Sequence, residues 1–129
     1  LSRIDHGHFA GSEEAFRHWD EDGFVPGRCA RCHSADGLPL FLTEGVTINT
    51  GTANGFQCAT CHNDLSTWSL YAAAEVTFPS GTTIELEEGD AQGLCMTCHQ
   101  GRAAGSDITR ATAGHAGMTC RIDMHHAIW

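Results

Sequence analysis

Cys29-Ala30-Arg31-Cys32-His33, Cys58-Ala59-Thr60-Cys61-His62 and Cys95-Met96-Thr97-Cys98-His99 are three copies of one five-residue signature. Cys-x-x-Cys-His is the attachment site of a c-type haem. Two thiols three positions apart can each add to one vinyl group of a porphyrin, and the imidazole that follows reaches the iron. Together the copies use six of the seven cysteines, so each pair has one purpose. The reading is three haem c groups, with Cys29, Cys32, Cys58, Cys61, Cys95 and Cys98 as thioether residues and His33, His62 and His99 as iron ligands.

Other uses of the same residues fit less well. A structural zinc needs four ligands, so three pairs leave one over, and zinc gives no reason for a histidine after every second cysteine. A secreted disulfide framework needs neither the fixed short spacing nor the histidine. A thioredoxin-like centre wants one Cys-x-x-Cys within a βαβ pattern, and none is present.

Three large cofactors on 129 residues make the porphyrins much of the core and the protein a thin wrapper, read as a single domain over 1–129. The expected fold is a small, mostly irregular multihaem cytochrome c: a few short α-helices and one β-hairpin wrapped around three stacked haems. Fifteen glycines suit close approach of backbone to a flat ligand. Formal charge is −9, and all seven basic residues are arginine. That balance argues against nucleic acid and anionic membrane as partners. Some arginines are candidates to clamp haem propionates, with ordinary surface pairing the equal alternative. No apolar run approaches the length a bilayer requires, so membrane insertion is not expected. Haem c is attached outside the cytoplasm. Leu1-Ser2-Arg3-Ile4-Asp5 has no apolar h-region, so a signal peptide is expected to have been removed.

Along the chain, Ser12 reads as the N-cap of a short helix, with Glu13 and Glu14 at its positive end and Asp22-Gly23 as its stop. Ala15, His18 and Trp19 share one side of that helix. Residues 45–55 read as loop or short strand. Ala74 to Phe78 and Thr82 to Leu86 alternate in character around Pro79-Ser80-Gly81, which predicts a β-hairpin. Two strands alone are marginal, so the hairpin is expected to lean on haem or on another subunit. Asp90 is a candidate cap for a second helix, Ala91 to His99.

Each iron has a second axial position, and six further histidines remain: His6, His8, His18, His115, His125 and His126. Six candidates for three positions make bis-histidine ligation economical, although methionine ligation would raise the potential. His18 ranks first by its amphipathic setting. His8 precedes the apolar Phe9-Ala10 and outranks His6. Adjacent side chains point apart, so His125 and His126 can both ligate only by serving different haems; His115 follows them. Cys120 lacks a partner cysteine and a following histidine. Burial as a small apolar residue or a single nonstandard attachment is favoured over a specific bridge.

Gly7-His8-Phe9-Ala10, Glu14 to Trp19, Cys29 to Ser34, Val76 to Gly81 and Leu94 to Arg102 resemble landmarks of bacterial and archaeal extracytoplasmic multihaem cytochromes. The resemblance implies that His8 and His18 are distal ligands and that His125 matches a downstream His-aromatic pair, with His126 in the aromatic position. Related chains usually carry further haem motifs. Compact chains with so few haems look similar to subunits of extracellular cytochrome filaments, which implies head-to-tail self-association, an extracellular or cell-surface location, and redox proteins or extracellular acceptors as partners. The rivals are a soluble periplasmic electron shuttle and a small multihaem reductase. The reductase requires one open haem, with His115, Arg102, Arg110 and Arg121 as candidates to line it. With every iron held by two histidines there is no such opening, and no enzymatic activity is expected.

If the porphyrins are the core, the haem-free chain cannot bury enough surface to fold. Circular dichroism of the apoprotein should show an unfolded chain; a cooperative thermal transition without haem would refute that expectation.

Overall fold

Each Cys-x-x-Cys pair falls on a helix of eight residues or fewer, and the turns between these helices set the architecture. The computed structural model describes residues 15–87 and 89–107. Its packing divides into two units that part between Ala72 and Ala73. The first unit carries the first two motifs and the second unit carries the third.

In the first unit, residues 15–23 form successive turns rather than the expected regular helix. The amides of Asp20 and Asp22 donate to the carbonyls of Arg17 and Trp19, each three residues back. The physical reason lies in Asp20-Glu21-Asp22, which would crowd three acids at the negative end of a helix. The expected stop is present: Gly23 adopts φ +74° and its amide donates to the Trp19 carbonyl. Ser12, the expected cap, lies outside the described residues.

Strand β1 (Phe24–Val25) pairs antiparallel with β2 (Thr50–Gly51), Val25 opposite Thr50. This short ribbon launches α1 (Gly27–His33), whose first amide donates to Asn49 Oδ1 at 2.8 Å. A buried Ser34 ends α1 and turns the chain, donating to the Ala30 carbonyl and accepting from the Gly37 amide, both at 2.9 Å. Helix α2 (Gly37–Glu44) follows and ends at Gly45, which takes φ +68° and donates to the Phe41 carbonyl. Helix α2 was not anticipated from sequence. The one-turn α3 (Cys58–Cys61) leads directly into β3 (His62–Asp64), which pairs antiparallel with β4 (Ser69–Leu70) across an irregular register.

The second unit is the anticipated hairpin plus helix. Strands β5 (Glu75–Thr77) and β6 (Thr83–Glu85) pair with Val76 opposite Ile84. The Gly81 amide donates to the Phe78 carbonyl at 2.8 Å, with Gly81 at φ +86°, as a three-residue loop with its last residue left-handed requires. Helix α4 (Gln92–His99) starts one residue later than expected, and Asp90 Oδ1 accepts its first amide at 2.8 Å. The hairpin leans on this helix. A Cβ at Gly93 would stand 2.6 Å from the Ala73 carbonyl oxygen and 2.8 Å from Leu86 Cδ1. The support expected from haem or another subunit is thus supplied, at least in part, by α4.

Among the described residues the buried apolar side chains are Phe16, Val25, Ala30, Ala35, Leu38, Ala73, Val76 and Leu94. Three are alanines, divided over two units. Over the described residues protein atoms make a very thin core, in keeping with a wrapper for large apolar cofactors.

Gly37 marks the tightest contact in the first unit, because a Cβ there would overlap the Ala30 carbonyl of α1. Gly37→Ala should lower stability by about 1–3 kcal/mol despite its better helix propensity. Gly51→Ala, which meets open space, should stay within about 0.5 kcal/mol. Denaturation midpoints of the haem-loaded variants measure both.

Candidate haem-attachment sites

Within one helical turn, residues i and i+3 lie on the same face. Cys29 and Cys32 stand this way on α1, Cys58 and Cys61 on α3, and Cys95 and Cys98 on α4. Of each pair the second cysteine is half-buried, while Cys58 and Cys95 are exposed. No disulfide joins any of these six cysteines. Among the described residues no three His, Cys, Asp or Glu side chains gather as a metal-ion site.

The motif histidines are held from outside their motifs. His33 Nδ1 lies 2.7 Å from the Ala15 carbonyl oxygen, and His62 Nδ1 lies 2.8 Å from that of Trp68. A carbonyl can only accept, so each Nδ1 carries the proton and donates. That tautomer presents Nε2 as the coordinating nitrogen, and an N–H bound to a carbonyl is the usual support of a metal-ligating imidazole. Paired thiols followed by an imidazole in this tautomer fit a covalently attached haem c.

Aromatic rings brace both imidazoles. Trp19 packs tilted against His33 at 5.4 Å, and the buried Phe16 meets His33 at 6.4 Å and Phe56 edge-on at 5.0 Å. Arg17 secures this turn segment by a hydrogen bond to Asn54 Oδ1 and an ion pair with Asp20. Trp68 packs edge-to-face on His62 at 5.2 Å. Hydrogen bonds from the Ser66 hydroxyl and amide, with Thr67, hold the Asp64 carboxyl below the usual carboxylate range.

The residues between the cysteines tie the motifs to their surroundings. Thr60 is fully buried; its hydroxyl accepts the Gln57 amide and donates to the Ala35 carbonyl at 2.8 Å, joining the second motif to the connection that follows the first. Thr97, at the same place in the third motif, is buried and donates to the Gly93 carbonyl at 2.7 Å. In the first motif that place is held by Arg31, whose guanidinium lies over the Phe41 ring at 4.6 Å.

Of the candidate distal ligands, His18 lies exposed in the 15–23 turns, its ring edge-on to Trp19 at 5.0 Å. One cluster therefore contains His18, Trp19 and His33. His6, His8, His115, His125, His126 and Cys120 lie outside the described residues. The carbonyls of Ala15 and Trp68 escaped sequence reading, since any residue type supplies a backbone acceptor. The turn-forming Asp64-Leu65-Ser66 was the one available hint.

Motif helices, histidine tautomers and a thin core together define a multihaem c-type cytochrome. Residues 14–121, which include all three motifs, match the family described as cytochrome c7 and related cytochrome c, and the chain belongs to that family. The chain is also similar to the C-type polyheme cytochrome OmcB of Geobacter sulfurreducens, in strain DL-1/KN400 and in strain ATCC 51573/DSM 12127/PCA. Each match is 29% identical over 130 residues, covering 76% of this chain and 18% of the relative. The chain thus spans less than a fifth of the length of the curated relatives it matches. No solved structure matches it significantly. The family is one of haem c proteins, and the Cys-x-x-Cys-His motifs of this chain are those of haem c attachment. Among the described residues no helix is long and apolar enough to cross a membrane.

Thr60→Val keeps the shape of the side chain but leaves the Gln57 amide and the Ala35 carbonyl without their shared partner. It should cost about 1–3 kcal/mol, read as a lowered denaturation midpoint at unchanged haem content, with most of the loss recovered in Thr60→Ser.

Proposed function

We propose that this chain carries electrons through three haem c groups, one at each Cys-x-x-Cys-His, as the repeating subunit of an extracellular conductive filament. The thioether residues are Cys29, Cys32, Cys58, Cys61, Cys95 and Cys98. Each iron takes two histidines: His33, His62 or His99 on one side, and on the other a ligand drawn from His8, His18, His125 and His126. The observation that carries the cofactor reading is the Nδ1–carbonyl bond at His33 and His62, which prepares each imidazole as an Nε2 ligand in a chain whose pairs are not spent on disulfides.

Bound haem c supplies a one-electron iron couple whose potential depends on axial ligands, hydrogen bonding and burial. The chain's part is to fix those three quantities and to bring the cofactors close. Two histidines on every iron exclude a substrate from the metal, which favours conduction over catalysis. The filament is supported by the likeness to subunits of extracellular cytochrome filaments noted from sequence. A repeating head-to-tail contact does not close on itself and therefore extends. The short match within a far longer polyheme relative favours a second reading, in which the same stretch serves as one segment of a larger cytochrome.

The test is electron microscopy of natively secreted material whose pyridine spectrum shows c-type haem and whose subunit mass shows three attached haems. Red filaments with a regular axial repeat are expected. Dispersed particles would overturn the filament in favour of a soluble shuttle, and a mass with fewer than three haems would overturn the count.

A further inference from the structure

Trp68 occupies a conformation that its residue type disfavours. Its φ is +60°, and it is the one non-glycine among the described residues in the left-handed region. A bulky residue there is an outlier that the surroundings have to enforce. Burial does not enforce it, because the side chain is 59% exposed. The loop does. Asp64 Oδ1 accepts the Ser66 amide at 2.7 Å and the Ser66 hydroxyl at 2.6 Å, and Oδ2 accepts the Thr67 hydroxyl at 3.0 Å. Thr67 Oγ1 also lies 2.9 Å from Ser69 Oγ, and Ser69 stands opposite Asp64 in the β3–β4 pair. Trp68 is therefore pinned through both of its neighbours. In that conformation its carbonyl accepts a hydrogen bond from His62 Nδ1–H while its ring stands at 89° to the imidazole.

We infer that the Asp64–Ser69 loop is a clamp whose left-handed Trp68 is a positioning residue for His62. It fixes the imidazole's tautomer and plane, and through them the potential of the second haem. The inference rests on the reading that the second motif carries haem c. A hydrogen bond from Nδ1–H to a carbonyl makes the imidazole a better donor, and a better donor favours ferric over ferrous iron. The clamp should therefore hold this haem at a lower potential than it would have with a loose histidine. The left-handed conformation closes the β3–β4 turn as Gly81 closes the β5–β6 turn, and at Trp68 it also aims the carbonyl at His62 Nδ1.

The experiment uses the full haem-loaded chain, with haem on the Cys58–His62 peptide confirmed by mass spectrometry in every variant. Redox titration followed by NMR of the shifted haem methyls resolves individual haems, and the ferric low-spin EPR signal reports the imidazole plane. Trp68→Val, whose β-branched side chain resists the left-handed region, should raise one haem potential and move one EPR signal. Trp68→Gly, at ease at φ +60° and keeping the carbonyl, should restore both to wild-type values. Asp64→Ala should move the EPR signal, and Asp64→Asn, which still accepts the Ser66 amide, should not.

Unchanged potentials and EPR in Trp68→Val and Asp64→Ala would overturn the clamp. So would Trp68→Gly shifting as far as Trp68→Val, which would make the ring rather than the carbonyl the positioning element. If Trp68→Val loses its second haem, the two Asp64 variants and Trp68→Gly still decide. A wild-type Cys58–His62 peptide without haem would instead overturn the proposed function from which the inference starts.

Discussion

Two thiols on one helical turn and an imidazole directly after them must arrive within five residues, three times in 129 residues, and the described elements are arranged around that demand. A helix only has to be long enough to display the pair. Helix α3 is the limiting case, four residues that begin at one cysteine and end at the other. Elements so short have little stability of their own, because the first helical turn costs more than it returns. They are held by side-chain hydrogen bonds at their ends: Asn49 on α1, Thr60 on α3, Asp90 on α4.

The same demand explains how the chain supports its motif histidines. Each motif fixes where its histidine starts but not how the ring is turned. Orientation has to come from elsewhere, from Ala15 eighteen residues before His33 and from Trp68 six residues after His62. Both supports combine a carbonyl with an adjoining tryptophan ring. They are built differently. The first draws on the Phe16–Phe56 contact and an apolar cluster, whereas the second is an exposed loop wired by hydroxyls to one carboxylate.

Legibility in the sequence follows how local each feature is. The motifs, the 75–85 hairpin and the helix capped by Asp90 were readable, since all their determinants lie within a dozen residues. Helix α2 was not, although Asp36 before it and Gly45 after it are good boundary residues; Gly37 and Pro39 near its start disguise it as a loop. Gly37 is there to let α2 approach Ala30, a requirement visible only once both helices are placed. The helix expected over 12–22 becomes turns over its described part because three acids outweigh a stop signal that is itself correct. The β1–β2 ribbon joins Val25 to Thr50 and Phe24 to Gly51, beyond any local pattern. The two histidine supports were invisible for a further reason: backbone carbonyls carry no residue-type signature, and a left-handed tryptophan runs against every propensity.

A carbonyl is a considered choice of partner for these imidazoles in so acidic a chain. A carboxylate in the same place would accept a stronger hydrogen bond from Nδ1–H and add a charge beside the imidazole. The formal charge is already −9, and haem propionates would deepen it. Each extra negative charge near a haem stabilises its ferric form and costs desolvation where it is buried. A neutral acceptor separates two effects that a carboxylate would combine: it fixes the tautomer and plane of the ring while leaving the local charge to residues farther from the iron. Arg31 over Phe41 beside the first motif and Asp64 beside the second are of opposite sign. Neighbouring motifs of one unit thus share a histidine support while differing in electrostatic setting, which is what a chain needs if identical cofactors are to have different potentials.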